Sequence, residues 1–174
     1  MSLSINALDG LISDALYVLE RRLVVLLAYT PSIYHTPLCT STHKPFFLAA
    51  LTYIYTSLRD FPVQSPLYDT FITRLSDSLS ASEWEGGDGL LLWVLGIGAL
   101  AAAGREARGG FVRELSVLVR RLEIESLEEF RRGMATVVGM EMERRAYQAV
   151  EDEKRLWEEV MRERERVEVE RGYF

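Results

Sequence analysis

Gly89 to Gly104 reads GLLLWVLGIGALAAAG, a run without a single charge between Asp88 and Arg105. A membrane span needs about 20 apolar residues to cross the hydrocarbon, and shorter runs of this kind serve as core helices. A helix that is apolar all round has to be covered all round. The run therefore predicts the centre of an all-α, single-domain helical bundle of about six to seven helices over residues 1–174, with Leu90 to Ala103 its most buried helix. Gly96, Gly98, Ala99 and Ala102 let neighbouring backbones approach closely. Each glycine inside a helix costs about 1 kcal/mol relative to alanine, which tight packing must offset.

Working outward, apolar residues recur at helical spacing on both sides. Ile5, Leu8, Ile12, Leu16, Leu19, Leu23 and Leu26 predict one stripe on a helix from about Asn6 to Tyr29. Pro31 ends it, and Thr30 to Lys44 reads as the longest irregular stretch. A second helix is expected from Pro45 through FFLAALTYIYTSL to about Asp60. Ser65 is placed to cap a third, with Pro66 at its first position and Leu67, Phe71, Leu75 and Leu79 on its apolar stripe. After the central helix, Gly109-Gly110 reads as a hinge before Phe111, Val112, Leu115, Leu118, Val119 and Leu122. Ser126 and Glu129 have capping-box spacing and open a sixth helix ending near Gly139. From about 141 charges alternate and apolar positions thin to Ala146, Val150, Trp157, Val160 and Met161, which predicts a charged, partly solvated helix leaving the core, with a solvated extension past Met161.

Composition bounds the function. A chain of 174 residues, 48% hydrophobic and 26% charged, suits one globular domain, and a lone Cys39 excludes both a disulfide framework and a multi-cysteine zinc module. The net charge of −6 disfavours nucleic-acid binding, which draws its affinity from Lys and Arg displacing counterions. Met1-Ser2-Leu3-Ser4 carries no charge, so no secretory signal is expected, and a reducing intracellular compartment is.

No pattern selects a catalytic, cofactor-binding or metal-binding residue. His35, Cys39 and His43 are spaced by four, but a zinc tetrahedron needs a fourth ligand, and a Cys39 nucleophile needs an orienting group and an oxyanion site. Glu141, Glu143, Glu151, Asp152, Glu153, Glu158 and Glu159 lie among arginines, where salt bridging accounts for them. The glycines at 86, 87, 89, 104, 109 and 110 fit no phosphate-binding loop. Trp84, Trp93, Phe46, Phe47, Tyr53 and Tyr55 read as core aromatics, or as the lining of a pocket between helices.

Two stretches resemble a known family. FLAALTYIYTSLRDFPVQSPLYDTFITRLSDSLS, Phe47 to Ser80, resembles the helix, Pro-containing turn and helix of the fungal-specific transcription factor domain of Zn2Cys6 (binuclear zinc cluster) regulators. LLLWVLGIGALAAAGREARGGFVRELSVLVRRLEIESLEEFRR, Leu90 to Arg132, is similar to that family's apolar helix, Gly-Arg hinge, Phe-Val helix and Ser-x-x-Glu-Phe start, and LWEEV at Leu156 to Val160 resembles its closing Trp element. The family's six-cysteine zinc cluster has no counterpart here, and Gly110 stands where the family often carries an aromatic residue. The resemblance implies a nuclear regulatory or interaction domain that leaves DNA contact to another module. It also implies a protein partner or self-association, and a small-molecule effector biasing two helical packings. It carries over no functional residue. A stand-alone helical scaffold or protein-binding adaptor is the alternative on the residues alone.

Overall fold

The computed structural model describes residues 5–29, 42–58, 62, 65–81, 84, 86–138 and 147–172. Among them are seven α-helices and no strand: α1 Ile5–Tyr29, α2 His43–Tyr53, α3 Pro66–Ser80, α4 Asp88–Ala101, α5 Arg108–Arg121, α6 Leu127–Val138 and α7 Tyr147–Gly172. The all-α bundle expected from the apolar run is the architecture found.

Residues Leu92 to Ala99 of α4 are all buried, and the other helices are arranged to achieve this. Leu48 and Tyr53 of α2, Tyr68 and Ile72 of α3, Phe111 and Leu115 of α5, Phe130 and Met134 of α6, and Leu156 and Val160 of α7 join α4 in one continuous core. No described helix is long and apolar enough to cross a membrane. Gly96 and Gly98 do what their size allows: Met134 packs into the space above one and the Phe111 ring against the other.

The end of α4 shows how polar backbone is handled beside such a core. Its last carbonyls lack helical partners and must find others. Gly98 O accepts from the amide of Ala102, and Leu100 O from that of Ala103. Arg108 Nη1 donates to Ala99 O at 2.7 Å, and Arg105 Nη1 to Ala101 O at 3.1 Å. The same Arg108 makes a forked bond to Glu159 of α7, at 2.7 and 3.1 Å, tying three helices together.

Several expectations need correction. The second helix starts at His43, and past Tyr53 it passes into a π-helical turn, Ile54–Leu58. Thr52 Oγ1 donates to Leu48 O at 2.8 Å and Thr56 Oγ1 to Thr52 O at 2.9 Å. Hydroxyls that bond back to carbonyls compete with the regular ladder and bend it. Ser65 does cap α3, its Oγ accepting from Leu67 N at 3.3 Å. The face of α3 is rotated, however: Tyr68, Ile72 and Leu75 are buried while Leu67 and Phe71 are half-buried. Gly109-Gly110 is no hinge, because α5 begins at Arg108 and both glycines occupy its exposed first turn.

The C-terminal helix packs closely on the core as far as Val160 despite its charge density, and the solvated extension expected past Met161 follows. Leu156 and Val160 are fully buried against α5, and Trp157 packs on Phe130 with ring centroids 5.7 Å apart. Buried Glu153 pairs with Arg131 of α6 at 3.2 Å. Solvation sets in further along, where Arg166 bonds Glu163 at 2.7 Å and Glu170 at 2.9 Å in helical i,i+3 and i,i+4 pairs.

Candidate functional site

Among the described residues, those singled out for chemistry do not converge. His35 and Cys39 lie outside the described residues, and His43 begins α2 with its ring 6.0 Å from Phe47. No group of three or more metal-ligating side chains occurs among the described residues. Trp93 is a core residue, packed on Phe46 at 5.8 Å and Tyr53 at 6.0 Å. Tyr55 packs on Phe71 at 5.6 Å. These four aromatics pack on one another and on Phe71 as core residues.

Trp84 alone of that set lines a groove. It borders a space of about 260 Å³ with Leu79, Leu91, Leu95, Leu118, Glu114 and Arg121. Arg121 closes one side of it through an ion pair with Asp88. The indole Nε1 and the hydroxyl of buried Thr42 have no hydrogen-bond partner among the described residues, and Gly86 lies between these two side chains, where a Cβ would come within 3 Å of both.

The carboxylates with shifted acidity are structural. Backbone amides at Glu125 and Ser126 and the Ser126 hydroxyl hold Glu129 below the ordinary carboxylate range. Arg166 does the same for Glu163 and is itself raised in return. Both acids sit in helix caps or surface pairs, and neither faces a cavity, so the pattern of two differently perturbed catalytic carboxyls is not met by them.

The most unusual surface is on α1. Leu16, Leu23 and Leu27 face the molecule, where Leu23 joins Leu51 and Ile54 in a small second core completed by Phe47, Tyr55 and Phe71. Tyr17, Val18, Leu19, Val24, Val25 and Leu26 are each 44–59% exposed. The expected single stripe is thus split: Leu16 and Leu23 are inside, Leu19 and Leu26 outside, and the Ile5, Leu8 and Ile12 side chains fall outside the described part. Asp14, Arg21 and Arg22 mark the outside, and Leu19 and Leu26 lie at the border of the buried stripe, where three- and four-residue spacing alone does not place the boundary. Tyr17, Val18, Val25 and Leu26 with Arg21 and Arg22 border an open trough of about 540 Å³.

Isolated exposed leucines are ordinary; six large exposed apolar side chains on one helix, interrupted by Asp14, Arg21 and Arg22, are a denser cluster than that. No family model matches the chain, and neither a curated protein nor a solved structure matches it.

Proposed function

We propose that this chain is an interaction and regulatory domain that docks a protein through the exposed face of α1, in the role the zinc-cluster regulator resemblance implies. The observation that carries the docking role is the six large hydrophobics left uncovered along α1. Apolar side chains flank the charges on the outer side of α1, and covering them with a partner takes that surface out of water. The transcriptional setting, with nuclear residence and DNA contacted by another module, rests on the likeness of 47–80 and 90–132 to the fungal domain. The groove beside Trp84 is the place for a small-molecule effector in that setting.

A photoreactive amino acid placed at Val25 tests the docking role, with the same amino acid at Val169, more exposed still and on the solvated end of α7, as the control. Covalent adducts formed in cells at position 25, absent at 169 and lost on Val18→Glu, are the expected result. Absence of any adduct at 25 overturns it. A six-cysteine cluster encoded upstream in the same gene product would support the transcriptional setting, and its absence would favour the stand-alone adaptor.

A further inference from the structure

We infer that the partner of α1 is α1 of a second copy of this chain, laid antiparallel across it. The inference rests on α1 being the docking element and names what docks there.

Charge selects the occupant. Asp14 and Arg21 are both exposed and lie two helical turns apart, so they share one edge of the face opposite Leu16, Leu23 and Leu27. Val18 and Val25 lie beside them on the same face, and Tyr17 lies between the two charges along the chain. In an antiparallel pair related by a two-fold axis, a residue meets positions on the same edge of its partner, mirrored about the axis. An axis passing between Tyr17 and Val18 sets Asp14 of each copy level with Arg21 of the other. Two symmetric ion pairs then flank a centre made of Tyr17 and Val18 from both chains.

The length of the helix agrees. α1 runs Ile5–Tyr29, so its midpoint is Tyr17, next to the axis that the charges set. A parallel in-register pair would instead stack Arg21 on Arg21 and Arg22 on Arg22, which repel. Of these two arrangements the antiparallel one pairs Asp14 with Arg21, covers the valines and closes at two.

Sedimentation velocity of the full chain from about 1 to 200 μM, with charge-exchanged variants, tests this. The wild-type chain is expected to dimerise within that range. Asp14→Arg and Arg21→Asp alone each set like charges against one another and weaken the dimer at least about tenfold, while the double variant Asp14→Arg/Arg21→Asp restores it. All these side chains are exposed, so unchanged far-ultraviolet circular dichroism checks that the fold is kept. A monomer throughout the range, or a dimer indifferent to the exchange, overturns the inference. The adduct at Val25 separates the two failures: an adduct with the mass of two chains supports self-pairing, an adduct of any other mass alone overturns it while the docking role stands, and no adduct ends both.

Discussion

Gly96 and Gly98 differ by two positions on α4 and face different neighbours, which gives the same substitution two different costs. A Cβ at Gly96 would lie 2.5 Å from Sδ and Cε of Met134, the far end of an unbranched and adaptable side chain. At Gly98 it would lie 2.5 Å from Cε1 and 2.8 Å from Cδ1 of Phe111, a rigid ring with the core behind it. Alanine gains about 1 kcal/mol of helix propensity at either site. Gly96→Ala is therefore expected to be near neutral, while Gly98→Ala loses about 1–3 kcal/mol to overpacking. Urea unfolding monitored through both variants, at unchanged m-value, measures the difference. Glu123 supplies the opposite case. It has φ 55°, just past the end of α5, where Ile124 N donates to Val119 O at 3.0 Å and Glu123 N to Arg120 O at 3.2 Å. That bond pattern calls for glycine in the left-handed position. Glu123→Gly should raise stability by roughly 0.5–1 kcal/mol, because it removes a steric cost larger than the entropy glycine adds. A fall in the urea midpoint would contradict this.

At the scale of one element, α6 owes its start to a reciprocal cap. Glu129 N donates to Ser126 Oγ at 3.2 Å, while Glu129 Oε2 accepts from the amides of Ser126 at 3.2 Å and Glu125 at 2.9 Å. The acid is held below its ordinary value by those amides, so its stabilising contribution is complete above the ordinary carboxylate pKa and disappears as pH falls through the lowered one. Ser126→Ala is expected to cost about 1 kcal/mol and to return Glu129 toward the ordinary value, read by NMR titration of its side-chain carboxyl. An unmoved titration would show that the hydroxyl takes no part. This cap was legible in the sequence because Ser and Glu three apart are themselves the signal, as were Ser65-Pro66 and the uncharged run of α4. Helix faces were harder to read. On α3 the buried Tyr68 and half-buried Phe71 reverse the expected order, because two cores flank that helix and Phe71 serves the smaller one. On α7 few apolar residues suffice, since Leu156 and Val160 are covered completely and salt bridges from Arg108 and Arg131 accompany them. On α1 the charges Asp14, Arg21 and Arg22 did mark the outer side, but apolar residues border them on both flanks, so the width of the buried stripe could not be read from spacing.

The molecule as a whole is then two cores of unequal strength. The larger surrounds α4 and draws on six helices, while the smaller holds α1 to α2 and the π-turn through Leu23, with Leu16 and Leu27 beside it. Elements with few buried contacts open at lower free energy than the global transition, and amide exchange reports each opening separately. Amides of α1 are expected to exchange well before those of Leu92 to Ala99, whose protection should follow global unfolding. Leu23→Ala removes the most buried apolar side chain among the described ones on α1, and such truncations cost about 2–5 kcal/mol where the site cannot collapse. Because that loss falls on the smaller core, it should speed exchange throughout α1 and leave the slowest amides of α4 nearly unchanged. Leu115→Ala, cut into the larger core, should instead accelerate α1 and α4 together. If Leu23→Ala lowers protection in α4 by the same factor as in α1, the two cores unfold as one unit, and α1 is an integral helix of the bundle instead of an arm held out for a partner.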